Sequence, residues 1–302
     1  MKAKSFFLLH FDIGLLMLLL MVFSACRPKT NHYEPTYMKD STEKKTLLYG
    51  VPTQAFYEMH IAFVKYLNER LPKAHIQIVA SPSFSAYISK MNKGFFDLAD
   101  ANGIMTFDIK PSTYSLTGES VGEEPNAGAI LVNKDSLINN FSDLKGKLIA
   151  SPGSPALPGH MLQMVYLFKK GLNVNKDVRL KYLESFESVI LNVYLGKCSA
   201  GFVSMIGWHS FLKQRPEIAS RVALKWITPA TQGNKLLILK NVNEETAGQI
   251  RQMILTMHRN QEGRKALADL GYVKFLPADT NTYLPLKDFL KEYRELIKDP
   301  KY

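Results

Sequence analysis

Thr46-Leu47-Leu48-Tyr49-Gly50-Val51-Pro52 is an apolar run cut off by proline. Beyond it, Phe56 to Leu71 repeats apolar residues at helical spacing, at Phe56, Met59, Ile61, Phe63, Val64 and Leu67. The first stretch reads as a buried strand and the second as an amphipathic helix. Ile76 to Ala80 follows as a second strand, Phe84 to Asn92 as a helix stopped by Gly94, and Phe95 to Ala101 as a third buried strand. A strand-helix-strand-helix-strand rhythm predicts a parallel sheet with helices on its faces, whose ligands gather beyond the carboxyl ends of the strands. The loops after Val51, Ala80 and Ala101 are therefore where a site is sought, with Gln54, Asp100 and Asn102 on their tips. For Asp100 the plainer expectation is a turn cap before Gly103.

The rhythm repeats downstream. Ala129 to Val132 reads as a strand, Ser142 to Lys147 as a turn with a short helix, and Leu148 to Ala150 as a new strand leading into the loop Ser151-Pro152-Gly153-Ser154-Pro155. A helix to about Lys170, a strand at Leu180 to Leu183, a helix at Phe186 to Leu195 and a strand at Ala200 to Ser204 complete the second unit. Lys235 to Leu239 then gives another strand, followed by helices at Asn243 to Met257 and Gln261 to Leu270. The chain is expected to cross between lobes near 127–133 and 227–237. Residues 46–128 plus 235–302 then form one lobe and 129–234 the other, in an α/β architecture with a cleft between them.

Ahead of the fold, Lys2 and Lys4 precede a greasy run from Ile13 to Phe23 that ends at Phe23-Ser24-Ala25-Cys26. That order describes an export signal over 1–25 with Cys26 as the lipid-bearing first residue of the exported chain, and a polar tether over 26–45. The alternative is an uncleaved membrane helix starting near Phe6, which His10 and Asp12 interrupt.

Of the 302 residues, 277 remain without the first 25, ample for a real core or two lobes. The net charge of +11 is dispersed along amphipathic stretches such as Lys287 to Lys298, with no zinc-finger or helix-turn-helix pattern, so nucleic acid is not the expected partner. With Cys26 lipidated, Cys198 has no disulfide partner and reads as a small buried residue. His160, His209 and His258 stand apart, without metal-ligand spacing, so no metal or cofactor is expected. No nucleophile-base pair or paired carboxylates point to an enzyme.

Read together, these pieces resemble the bacterial substrate-binding proteins of phosphate, phosphite and phosphonate transporters, with the type-2 periplasmic binding fold. The resemblance runs from about Leu47 to Lys291. It is carried by Leu48 to Pro52, by the segment Gly94 to Ala99 with its FDLAD, by AILVNKDS at 129–136 and by DLKGK at 143–147. The Ser-Pro loop ending at Ser154, NVYLGKCSAGFV at 192–203 and DTNTYLPLKDFL at 279–290 complete it. It implies a monomeric, lipid-anchored receptor in the cell envelope that hands a small anion to an ABC permease. Helix starts would hold that anion: Ser154-Pro155 and Ser185-Phe186-Glu187-Ser188 each set a hydroxyl before a first helical turn whose amides face the cleft.

Departures from the family pattern accompany the matches. Ser154-Pro155-Ala156-Leu157 stands where the family usually has Ser-Thr-Ser-Gly, so two hydroxyl contacts are gone. Aromatic hydroxyls expected near Phe84 and Ala101 are lost, Phe186 replaces a histidine, and Ser199 stands where an aspartate is common. The candidate ligand contacts are thus Gln54, Phe84, Asn102, Ser154, Ala156, Ser185, Ser188 and Ser199. A competing expectation keeps the fold but makes the protein a sensor or interaction module whose pocket has diverged or been lost.

Overall fold

The computed structural model describes residues 44–108, 113–154, 156–183, 185–279 and 281–298, apart from the side chains of Thr106 and Asp108. The expected export signal, Cys26 and the tether as far as Glu43 lie outside these residues. No helix among the described residues is long and apolar enough to cross a membrane.

The described residues open with strand β1 (Lys45–Val51), helix α1 (Gln54–Asn68), β2 (Ala74–Ala80), α2 (Phe84–Asn92) and β3 (Leu98–Ala101). Leu47, Tyr49 and Val51 on one face of β1 are buried, and on the other Gly50 is buried and Leu48 half-buried, as expected for a strand covered on both faces. Helix α1 buries His60, Phe63, Val64, Tyr66 and Leu67. Ile61, expected on its apolar face, is instead half exposed, because His60 holds the neighbouring inward position.

Strand β4 (Tyr114–Gly122) then leads across to β5 (Gly128–Asn133), and β6 (Leu148–Ser151) to helix α3 (Leu162–Lys169) through a wide π-type turn at Leu157–Met161. Next come β7 (Arg179–Tyr182), α4 (Phe186–Tyr194), β8 (Ala200–Ser204), α5 (Met205–Gln214) and β9 (Val222–Ile227). The chain returns to β10 (Lys235–Leu239), continues through α6 (Glu244–Thr256), α7 (Gln261–Ala268) and β11 (Tyr272–Leu276), and ends in α8 (Pro285–Leu296).

Two sheets result, ordered β11-β4-β10-β3-β1-β2 and β7-β6-β8-β5-β9. Each is parallel within its strand-helix units: β1 pairs parallel with β2 and β3, and β6 with β7 and β8. Both are mixed rather than purely parallel, because the strands that carry the chain between them run antiparallel to their neighbours: β10 against β3 and β4, β5 against β8 and β9.

The chain crosses between the sheets from β4 to β5 and from β9 to β10, and passes once more, without a strand, from β11 to α8. The sequence pattern puts all of residues 235–302 with the first lobe, but Tyr283 and the inner face of α8 (Leu286, Leu290, Tyr293), with Ile297, pack in one cluster with Ile149, Met161, Leu167 and Phe202 around the second sheet. Fully burying a leucine there contributes about 1.5–3 kcal/mol, so an amphipathic helix of this kind docks firmly where its apolar stripe finds a matching face. Cys198 is buried in the second sheet's other cluster, and burial pushes its thiol pKa up, as suits a packing residue.

Candidate functional site

The parallel strands of both sheets end at a shared cleft of about 680 Å³. Its first wall comes from the loops after β1, β2 and β3, including Gln54, Phe56, Ser81, Phe84, Asp100 and Asn102. The facing wall comes from the loops after β6, β7 and β8, including Ala156, Ser185, Phe186, Ser188, Ser204 and Gly207. Asn126 and Asn234, on two of the crossing segments, line it as well. A volume of this size lies within the range of about 300–1,000 Å³ typical of small-molecule sites.

Four helices start on this cleft. Thr53 precedes α1, and Ser83, Ser185 and Ser204 cap α2, α4 and α5. Ser83 Oγ accepts from the Ala86 amide at 3.2 Å, Ser185 Oγ from Ser188 at 3.1 Å, and Ser204 Oγ from Gly207 at 2.9 Å. Ser185 also donates its hydroxyl to Ser188 Oγ at 3.0 Å. The first four amides of a helix have no partner within it, and the aligned peptide dipoles add a partial positive charge there, so convergent helix starts favour a bound anion.

Two buried polar atoms in the cleft have no hydrogen-bond partner, Ser81 Oγ and Asn234 Oδ1. Buried polar groups are ordinarily paired, and leaving one unpaired costs about 1–3 kcal/mol, so a small movement of the lining that pairs either atom would be favourable.

The turn-capping role expected of Asp100 belongs to Asn102, whose Oδ1 accepts from the amides of Ile104 and Met105, each at 3.1 Å. Asp100 instead accepts from the Tyr49 hydroxyl at 2.8 Å and lies 2.6 Å from His60 Nε2, while His60 Nδ1 lies 2.7 Å from the Phe56 carbonyl. Because both ring nitrogens face oxygen, both contacts are hydrogen bonds only if the His60–Asp100 pair holds one proton more than a neutral imidazole and a carboxylate. Burial, then the nearby Asp100 carboxylate, raises the Tyr49 and Tyr87 pKa values well above the usual range, so both phenols stay protonated.

Gln54, Phe84, Asn102, Ala156, Ser185 and Ser188 are brought together in the cleft, whereas Ser154 and Ser199 are not among its lining residues. Ser154 is expected from sequence to cap a helix starting at Pro155, yet Ala156 occupies the cap position of the π-type turn, with no side-chain capping bond. Ser154 is buried with its Oγ 3.3 Å from the Tyr293 hydroxyl. Ser199 precedes β8 at the strand's amino end, its amide bonded to Leu148 O at 3.0 Å, whereas the cleft lies at the carboxyl end. Trp208 is buried core, and His209 pairs with Glu124 at 3.3 Å.

Sequence reasoning missed Ser204, Gly207, Asn126 and Asn234. The Ser204 cap was within reach, since a serine closes β8 three residues before Gly207. The two asparagines become neighbours of the cleft only through the crossings.

No lysine or arginine stands among the described lining residues; the ionisable groups there are Glu58, His60, Asp100, Glu187 and the Tyr272 phenol. No group of three or more metal-ligating side chains occurs among the described residues.

A family model described as "ABC transporter, phosphonate, periplasmic substrate-binding protein" matches residues 51–283. The phosphonates-binding periplasmic protein of Escherichia coli strain K12 is 20% identical over 256 residues, covering 81% of this chain and 76% of that protein. Among solved structures, the binding component of a Pseudomonas aeruginosa ABC phosphonate transporter superposes with a TM-score of 0.75 at 20% identity, covering 84% of this chain and 88% of its own. PhnD1 from Prochlorococcus marinus, solved with methylphosphonate, gives a TM-score of 0.73 at 18% identity over 83% of this chain and 99% of its own.

Proposed function

The chain belongs to the phosphonate-binding family of ABC-transporter periplasmic substrate-binding proteins, and from that premise we propose that it captures a small oxyanion of phosphonate or phosphate type in the cleft and delivers it to a membrane permease. The observation that carries this reading is the convergence of four helix starts on one cleft. Ser185, Ser188 and Ser204 would approach the anion from the second sheet, with Ser81 and Gln54 opposite. Asp100 does not oppose this, because His60 and Tyr49 engage its carboxylate.

The two sheets would act as lobes, 46–128 with 235–302 and 129–234, save that the last helix rides with the second sheet. Cys26 would carry the lipid and residues 26–45 the tether, leaving a monomeric receptor on the outer side of a bacterial membrane. Mass spectrometry of the N-terminal peptide from membranes, showing acylated Cys26, tests the anchor.

Titration calorimetry of the purified chain with methylphosphonate and phosphate tests the receptor. Saturable one-to-one binding that weakens about tenfold or more in Ser188→Ala supports it, because hydrogen bonds to a charged group are worth about 1.5–3 kcal/mol each. Absence of binding by any oxyanion would leave the sensor reading in its place.

A further inference from the structure

We propose that the solute carries an aromatic body behind its oxyanion head, so that the ligand class is an aryl-substituted phosphonate or a close isostere rather than inorganic phosphate. This rests on the cleft being an oxyanion receptor, and it follows from the cleft's apolar half.

Three phenylalanines form a continuous strip across the site. Phe56 meets Phe84 edge to face with ring centroids 6.2 Å apart, and Phe84 meets Phe186 at 6.4 Å and 54°. Phe56 and Phe84 come from the first sheet's side and Phe186 from the second, so the strip spans both walls. All three are only partly buried, and each lines the cleft. Met59, partly buried, extends this surface, with the buried Met105 and Phe211 behind the lining. Partly open apolar area gathered in a concave site is a place for an apolar ligand group, since that is where burial gains most.

The strip is also held in place from below. A Cβ at Gly159 would come within 2.3 Å of the Phe186 ring, and one at Gly207 within 2.6 Å. The ring therefore rests directly on two stretches of backbone, as a fixed platform. An incoming ring can stack or meet it edge-on at little ordering cost.

Polar chemistry in the same cleft fits this division. The helix starts supply amides and hydroxyls for one anionic head, and no lysine or arginine is present among the described lining residues to hold a second anionic group. A bare tetrahedral oxyanion would fill a small part of about 680 Å³ and leave the strip wet.

Calorimetry of the full chain with four probes tests this: phenylphosphonate, methylphosphonate, 2-aminoethylphosphonate and inorganic phosphate. Phenylphosphonate is expected to bind at least about tenfold more tightly than the other three, and Phe84→Leu to erode that preference to within about threefold. If methylphosphonate or 2-aminoethylphosphonate binds as tightly as phenylphosphonate, or Phe84→Leu leaves the preference intact, the aromatic body is overturned while the oxyanion receptor stands. If none of the four binds, the receptor reading fails and takes this inference with it.

Discussion

Tyr293, on the last helix, sets its hydroxyl 3.3 Å from Ser154 Oγ and 3.2 Å from His160 Nε2, and His160 Nδ1 lies 2.7 Å from Ser151 Oγ. The loop after β6 is thus tied to the C-terminal helix by a buried polar chain, and this explains why Ser154 does not line the cleft. Tyr293→Phe keeps the ring and removes the hydroxyl that His160 Nε2 and Ser154 Oγ share. The expected cost is about 1–3 kcal/mol of stability in urea denaturation, with solute affinity changed by less than about twofold.

Gly207 and Gly248 make opposite predictions for the same substitution. Ala at 207 would drive a methyl group to 2.6 Å from the Phe186 ring and 2.9 Å from Ser204 Oγ, so the platform of the cleft must shift. Overpacking of this kind costs about 1–3 kcal/mol, and solute affinity should fall with it. Gly248 lies within helix α6, and an added methyl group there would meet no neighbouring group within 4 Å, so Gly248→Ala should stabilise by about 0.5–1 kcal/mol. Thermal denaturation of both variants checks the pair.

Asp100 is the shared partner of two buried groups, accepting from the Tyr49 hydroxyl and hydrogen-bonded to His60 Nε2. Asp100→Ala strands both in a site where His60 is 2% exposed and Tyr49 1%. Leaving a buried hydrogen-bonding group without its partner costs about 1–3 kcal/mol for each group stranded, and Asp100→Asn, which keeps an acceptor for one of them, should cost less. Denaturant midpoints of the two variants are expected in that order.

The alternation of apolar strands and amphipathic helices made much of each sheet legible, because buried parallel strands read as unbroken apolar runs. β4, β9 and β11 were not legible. Tyr114-Ser115-Leu116-Thr117-Gly118-Glu119-Ser120 has little apolar signal, and becomes a strand because β10 and β11 pair on either side of it. Leu286, Leu290 and Tyr293 mark one face of a helix in the sequence, but which sheet that face covers is a tertiary property that spacing does not contain. The site divides in the same way. Caps such as Ser185 follow from local chemistry, whereas Ser154 is misplaced by sequence because a serine before proline reads alike whether its amides face a cleft or its hydroxyl faces Tyr293.

Lys235 brings the three crossings to one point. It begins β10, lies opposite Glu119 near the end of β4, and stacks its ammonium 3.5 Å from the centre of the Tyr283 ring. Tyr283 in turn donates its hydroxyl to Gly233 O at 3.4 Å, and the Gly233 amide donates to Glu119 Oε1 at 2.7 Å. Burial lowers the Lys235 pKa to about 7, with the Glu119 charge opposing that fall. Below pH 7 the ammonium is charged in both folded and unfolded chains. Between about pH 7 and the ordinary lysine value of 10.5 the unfolded chain binds more protons, so this group makes stability rise with pH across that window. The rise should be on the order of 2 kcal/mol between pH 7 and 9, since one pKa unit corresponds to about 1.36 kcal/mol. Lys235→Met, which keeps the length and removes the charge, should lose that component of the slope when urea midpoints are compared at pH 6, 7, 8 and 9. An unchanged slope would mean that Glu119 and the Tyr283 ring keep the ammonium charged through neutral pH, and that the crossings are held by a cation at every pH at which the receptor works.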